Sequence, residues 1–511
     1  MSDKGAPPQT RLDRAIAAFA PGWAVSRAQA RLALDSIRAY EAASTGRRTS
    51  GWNAPSTGAN LELATGFDRV RARARDMVRN NEYAASAVRR MTTALVGTGI
   101  QISPADKAER EAFLAWANST EPDPARRLNL AGIIRLAVRS WREGGEALIR
   151  RRTRRAADGL SVPLQLQLLE GDHIDSSRLA ADATGFTLLG IKHDPIGGRT
   201  GYWLFSEHPG ENWPLRSSLT SALVPATEVI HLFDAERIGQ VRGMSSLGVG
   251  LLRLRDVADF ELAVQLRKKV EACFSAFVHT DDPAMSVAGV SLDPNDQSAG
   301  RRRDKLAPGI ITYLKGGESV TFGAPPTSTN EDAFTAQQLR AFAAGVGIPY
   351  EVLTGDLSKT NFSSNRLGLI EYRLLIEELQ WLVLVPQVIA PIRQWWREAY
   401  QAAGGRVGKK PDRITMPRRP WVKPTEDVAA AKEAERAGYT TKGEVLREQG
   451  YASIDEYIEE RTEEVAKLKA AGLATDTDPG TSASGATTDP KAKGGAAASD
   501  QTSDDKADPA P

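Results

Sequence analysis

The run "SSLGVGLLRLRDVADFELAVQLRKKVEACFSAFVHT", Ser245 to Thr280, constrains the fold more than any other stretch of the chain. Leu, Val and Phe recur along it at helical spacing for more than thirty residues, with no proline, so it reads as one long helix or two abutting ones. Its length sets it apart, since the mean helix in a globular protein has only about 11–12 residues.

The segment after it is of a different kind. Residues 281–327 are rich in Gly, Pro, Asp and Arg, yet hold two strand-like pieces, "GIITYL" and "SVTF", joined by "KGGE", which predicts a small β insertion. Helical pattern resumes at "NEDAFTAQQLRAFAAGVG" and again at "NRLGLIEYRLLIEELQWLVLV", where Pro386 and Pro391 are expected to break or kink the helix. Between these two helical patterns lies "TGDLSKTNFSSNR", Thr354 to Arg366, a polar interruption of an otherwise hydrophobic structure.

Upstream of the long run the pattern mixes helix and strand. "VRARARDMVRNNEYAASAVRRMTTALVGTG" and "LAGIIRLAVRSWREGG" place apolar residues on one helical face and stop at Gly97 and at Gly144-Gly145. Asp158-Gly159 between two alternating segments predicts a hairpin, and "GFTLLGIKHDPIGGRTGYWLF" repeats the idea across a longer turn. An α+β region therefore extends to about Phe233. Near the other end, Thr441 with Glu444 and Ser453 with Glu456 are capping boxes that start two short surface helices. The first 60 or so residues read as an arm, with some helical pattern in "RAQARLALDSIRAYEAA". Residues 474–511 contain no Leu, Ile, Val, Met or aromatic residue, so they are expected to be a disordered tail.

The chain of 511 residues is 41% hydrophobic and 25% charged, an ordinary globular balance, and 66 basic against 64 acidic residues leave a net charge of +2. No global field draws it to nucleic acid or an anionic membrane, so any DNA contact is local. A single cysteine, Cys273, excludes an internal disulfide and points to a reducing interior. The opening residues lack the apolar core of a signal peptide, and "LVLVPQVIAPI" is expected to be too short and proline-broken to cross a bilayer.

Signals for chemistry are weak. There is no phosphate-cradling G-x-x-x-x-G-K-[ST] run, and "GTGI" and "GVGLL" are fragments of glycine fingerprints that read as turns. "GMSSLG" has the wrong spacing for a nucleophile elbow and reads as a helix entry. Asp172, His173 and Asp175 are metal-ligand types close together, but a polar turn at a strand end accounts for them more simply. The basic run Arg150 to Arg155 reads as a solvated strand face, and Trp395-Trp396 as a core or interface anchor.

Several of these stretches, in shared order from about Phe67 to Ala471, resemble the portal proteins of lambda-type tailed phages. They include "RARDMVRNNEYAASAVRRMTTALVGTGI", "LQLQLLEGDHID", "GIKHDPIGGRTGYWLF", "VPATEVIHLFDAERIGQVRGMSSLGVGLL" and "LRAFAAGVGIPYEVLTGDLSKTNFSSNRLGLIEYR". The resemblance implies an α+β portal architecture: an N-terminal arm (1–60), a wing (61–240), a first stem helix (241–280), a β-rich clip (281–328) and a second stem helix (329–345). A tunnel-loop region (346–366), a long kinked helix (367–420), crown helices (421–472) and the tail (473–511) complete it.

It further implies a closed ring of about twelve subunits at one capsid vertex, through which double-stranded DNA passes without being read. The terminase large subunit, a head–tail connector and the major capsid protein are the implied partners; no cofactor and no membrane are implied. The location implied is the virion, with assembly in the host cytoplasm. Lys359, Asn361, Ser363, Ser364, Asn365 and Arg366 would touch phosphate oxygens in the channel, and Arg301, Arg302, Arg303 and Lys305 would lie in the clip where partners dock. The residues alone leave another reading open: the polar stretch is a plain connector whose Ser363 or Ser364 caps the next helix. Two other functions stand beside the portal, a metal-dependent DNA-processing enzyme using Asp172, His173 and Asp175, and a ring scaffold that binds only proteins.

Overall fold

The computed structural model describes residues 54–211, 220–273, 277–280, 318–321, 330–451 and 453–473, with scattered positions before 54. The chain divides into two units, Met1–Glu62 and Leu63–Pro511. In the first, a helical turn is closed by the Ser26 hydroxyl donating to the Gly22 carbonyl at 3.1 Å. The clip residues Arg301, Arg302, Arg303 and Lys305, the tail and most of the arm lie outside the described residues.

The second unit opens with two helices where the sequence showed one periodic stretch. Helix α1 (Phe67–Asn80) ends at Asn81, whose backbone is extended and whose side-chain carbonyl accepts from the Tyr83 and Ala84 amides to start α2 (Glu82–Val96). Strand β1 (Gln101–Ser103) and helix α3 (Lys107–Asn118) come next. Helix α4 (Leu130–Gly144) buries Ile133, Ile134, Ala137, Val138 and Trp141 on one face, as their spacing requires. It stops at Gly145, in the left-handed region at φ +96°, where a Cβ would come within 2.5 Å of the Met244 carbonyl carbon, so only glycine fits.

Strand β2 (Glu146–Thr153) pairs antiparallel with β3 (Leu164–Glu170), confirming the expected hairpin, although residues 154–163 make its connection longer than a two-residue turn. An antiparallel meander comes after it: β4 (Ala180–Asp182), β5 (Gly185–Leu188), β6 (Ile191–His193), β7 (Arg199–Phe205) and β8 (Ser221–Pro225). The chain then returns as β9 (Val229–Phe233) to the other edge of β2, giving the order β3-β2-β9. The α+β class is as expected.

A helical turn at Gly248–Gly250 leads into α5 (Leu251–Cys273), so "GMSSLG" is the helix entry that its spacing suggested. The long run does not stay helical to its end. Residues Phe277–Thr280 are strand β10, paired with β11 (Glu318–Thr321). Aromatic and β-branched residues suit a strand, and a short apolar run cannot declare its own period. The "SVTF" strand thus pairs with Phe277–Thr280; "GIITYL" lies outside the described residues.

Helices α6 (Glu331–Val346) and α7 (Tyr350–Thr354) precede α8 (Phe362–Glu378). Here the chain does not break at either proline. The chain continues without a break from α8 through a π-helical stretch, Leu379–Ile389, into α9 (Ala390–Ala402). Pro386 sits inside the wider π turns, where the amide it lacks and the bulk of its ring are accommodated, and Pro391 occupies the first turn of α9. "LVLVPQVIAPI" is therefore part of a continuous helix, and residues 363–402 are long and apolar enough to cross a membrane by length and composition. Its Leu384, Val388, Ile392 and Trp396 are instead fully buried in the protein's own core. Trp396 stands edge-on to Phe113, and Trp395 donates to the Thr227 carbonyl, so the tryptophan pair is a core anchor.

Strand β12 (Arg413–Thr415) pairs with β1, and α10 (Pro424–Arg436), α11 (Lys442–Glu448) and α12 (Ile454–Ala470) close the described chain. Thr441 and Ser453 cap the last two by accepting from the Glu444 and Glu456 amides, as the capping boxes predicted. None of these three helices contains a buried residue.

Two buried charge clusters tie these layers together. Glu146, at the start of β2, is fully buried and accepts from Arg71 of α1, from Arg242 and from His231 of β9. Burial alone would raise its pKa, but Arg242 and Arg71 outweigh it and hold the carboxyl well below the usual range. Burial holds His231 neutral, with its pKa lowered, so its Nε2–H donates to Glu146 at 2.9 Å. The second cluster joins Glu109 of α3 to Arg393 of α9, which also reaches Asp412 at 2.9 Å.

Candidate functional site

The polar interruption is shorter in space than in sequence. Thr354 ends α7, and Gly355, at φ +77°, turns the chain out of it. Asn361 already caps α8, its side-chain oxygen accepting from the Ser364 amide at 2.8 Å. The cap is thus Asn361 and neither Ser363 nor Ser364; an extended residue whose side chain faces the amide three positions on is what a cap needs. Ser363, Ser364, Asn365 and Arg366 form the first turn of α8, leaving Gly355–Asn361 as the loop.

This loop is held firmly at its base. Asp356 accepts from the Ser358 amide at 3.0 Å and hydroxyl at 2.6 Å, and Tyr350 donates to its other oxygen at 3.3 Å. The Ser358 hydrogen bonds hold the Asp356 carboxyl below its ordinary pKa, helped by Tyr350 and Lys359. Ser86 of α2 donates to the Leu353 carbonyl at 2.7 Å, which fastens α7 to the core, and Arg340 stacks over the Tyr350 ring at 4.9 Å. A Cβ on Gly355 would meet the Arg90 guanidinium at 3.7 Å, so Arg90 of α2 lies against the loop.

Outside this base the groups differ in freedom. Lys359, Asn361, Ser363 and Ser364 are exposed, whereas Asn365 and Arg366 are half-buried. Arg366 is engaged: its guanidinium meets Asp427 of α10 at 3.2 Å and Glu426 at 3.8 Å. Leu357 is also exposed, an apolar side chain within the polar loop. Beside the loop a cleft of 610 Å³ opens between α5 and α6, lined by Glu261, Glu331, Asp332, Asp356 and Lys359 among others. Sequence reasoning missed Arg90, which reaches the loop from a helix far away in the chain, and Tyr350 and Asp356, whose contacts are local but carry no motif.

The candidate metal ligands do not converge. Asp172 is bound by Arg75 at 2.7 Å and approached by Arg71, which together overcome burial and lower its pKa. His173 contacts the Glu170 carbonyl through Nδ1 at 3.2 Å. Asp175 accepts from Ser177, Ser221 and Arg178. Glu170, Asp172 and His208 do come together, but the Arg75 guanidinium binds both carboxylates at 2.7 Å and supplies the positive charge there. In the basic run, Arg151 pairs with Glu398, Arg152 donates to Gln167 and Arg154 pairs with Asp158; Arg150, Arg151 and Arg152 are half-buried, so only Arg154 and Arg155 stand on a solvated face.

The family model for phage portal proteins of the lambda family matches residues 45–380, from the end of the arm through the loop and α8. The chain belongs to the lambda family of phage portal proteins. It is 25% identical over 465 residues to a probable portal protein of Halomonas phage phiHAP-1, covering 85% of this chain and 88% of that one. It is 24% identical over 360 residues to portal protein B of Escherichia phage lambda, covering 63% and 67%. Among solved structures it is similar to a chain in the neck of an empty gene transfer agent particle computed with C6 symmetry, with TM-score 0.46 and 14% identity over 79% of this chain and 98% of that one. An HK97 family portal protein from Corynebacterium diphtheriae aligns with TM-score 0.30 and 11% identity over 59% and 84%. The portal family is structural rather than enzymatic, and the metal-dependent enzyme gains no support from it.

Proposed function

We propose that copies of this chain close into a portal ring of about twelve subunits whose channel passes double-stranded DNA during packaging and ejection, with the loop Gly355–Asn361 facing the DNA. The observation that carries this reading is the loop itself: a polar segment of a lambda-family portal protein, locked at its base by Asp356 and capped by Asn361. Within the loop, one lysine is matched by one aspartate. Many cations would hold the polymer by counterion release, whereas a few weak polar contacts touch phosphates without arresting them.

Lys359, Asn361, Ser363 and Ser364 are the exposed contacts in this account. Asn365 and Arg366 sit further back, and Arg366 is neutralised in part by Asp427, so it contributes less field than its charge suggests. The α+β region 61–240 serves as the wing, α5 and α6 as stem helices, residues 281–328 as the clip, and α10 to α12 as the crown. The clip, with Arg301, Arg302, Arg303 and Lys305, docks the terminase large subunit and later the head–tail connector. The major capsid protein surrounds the ring, which assembles in the host cytoplasm before it is part of the virion.

Lys359→Glu tests the loop assignment. Measured as DNA content per purified particle, it reduces packaging while leaving the ring intact in electron micrographs; unchanged DNA content in intact rings would remove the loop from the channel.

A further inference from the structure

Two helices in this structure expose matching apolar stripes that nothing among the described residues covers. On α5, Leu252, Leu262 and Leu266 are 61–70% exposed, although the opposite face, with Leu254 and Val257, is buried. On α8, Leu367 and Leu374 are each 62% exposed and Ile370, between them, 45%, while Tyr372 and Ile376 face the core. The spacings of the leucine pairs are those of a helix–helix seam. Leu367, Ile370 and Leu374 follow steps of three and four, and Leu262 and Leu266 a step of four, while the exposed Asp259, one heptad from Leu252 and from Leu266, separates Leu252 from them.

At the Leu266 end of α5 the flanking charge is opposite in sign to that on α8. All three exposed ionisable residues of α8 are acidic, Glu371, Glu377 and Glu378. Beyond Leu262 on α5, the exposed charges up to Lys269 are Lys268 and Lys269. The nearby Arg267 is taken by Glu331 of α6; Lys269, three residues past Leu266 and seven past Leu262, is an exposed cation in line with the stripe, whereas Lys268 lies round the far side of the helix. A leucine pair ending in a lysine on one helix and an apolar stripe bordered by glutamates on another are a complementary pair of surfaces. Both belong to one chain but to different helices, which is the geometry of a head-to-tail contact that closes into a ring.

We propose that the Leu262–Leu266 face of α5 in one copy docks on the Leu367–Leu374 face of α8 in the next copy, with Lys269 beside Glu371 and Glu378. This rests on the ring reading above and adds to it the surfaces by which neighbours meet.

Disulfide cross-linking tests it in the full-length chain. In a Cys273→Ser background, Leu262→Cys and Leu374→Cys are introduced together and singly, oxidised mildly and run on a non-reducing gel. The account expects a ladder of multimers from the double variant and none from either single one. A second measurement uses charge alone: Lys269→Glu lowers the ring fraction severalfold at low salt while Lys268→Glu, on the far side of the helix, leaves it unchanged, and adding Glu371→Lys with Glu378→Lys to Lys269→Glu restores it. Rings in electron micrographs without a ladder would overturn the docking while leaving the portal reading in place. A ladder-free cross-link within one chain would assign the stripe to another segment of the same copy and overturn it too. Absence of both ladder and rings would count against the docking and the ring reading together.

Discussion

Glu146→Gln removes the carboxylate that two buried guanidiniums and a buried imidazole share. Arg71 is 2% exposed and Arg242 fully buried; Arg242 donates through Nε to Glu146 at 2.9 Å and His231 does so through Nε2 at 2.9 Å. Gln keeps the volume and one acceptor oxygen, so no cavity opens, but its amide group points donors at donors. Breaking a buried ion pair by neutralising one partner costs about 3–5 kcal/mol, and here Arg242 would be left with only the Leu189 and Gly171 carbonyls, while Arg71 keeps Asp68 and Asp172. For roughly 400 ordered residues at about 2.1 cal/mol/K each, the unfolding entropy makes this a loss of about 4–6 °C in Tm. Differential scanning calorimetry reads the shift. Arg151→Ala, which breaks the surface pair with Glu398, is the control and should move Tm by about 1 °C or less. A Glu146→Gln variant that melts with the control would refute the reasoning, since the cluster would then carry no more than a surface pair does.

Two further predictions concern the same cluster and the loop. Burial lowers the His231 pKa, so near its unfolded value of about 6.5 the unfolded chain binds a proton that the folded chain does not. Stability from this group is therefore present above about pH 6.5 and lost as pH falls below it. His231→Gln flattens the fall in Tm between about pH 7 and pH 5, and an unchanged slope would contradict the assignment. Asn361→Ala removes the cap of α8 and costs about 1 kcal/mol, read as a lower urea midpoint, with Asn361→Ser recovering most of it. Equal loss in both variants would point to a role other than capping.

The local features of this fold were legible because local physics makes them. The buried face of α4 follows from its spacing, and the caps at Thr441 and Ser453 from residues three apart. The features that the sequence hid lie at longer range. Glu146 meets Arg71, His231 and Arg242 across 75, 85 and 96 positions, and no motif advertises such a meeting. The strand Phe277–Thr280 was hidden inside a helical period because four residues of apolar and β-branched character fit both. Pro386 does not end the helix but sits where it departs from α geometry into π turns, which spacing alone does not declare. At the loop, polarity marked the place, but Arg366's engagement with Asp427, 61 positions on, and Asn361's capping role took shape only in the folded chain.

The central claim is that this chain builds a ring with an open axial channel. Electron microscopy of the purified full-length protein, classified for end-on views, tests it most directly. The account predicts particles with rotational symmetry around a channel wide enough for a duplex, roughly 20 Å as set by groove and backbone dimensions. Compact closed oligomers with no axial opening would contradict it.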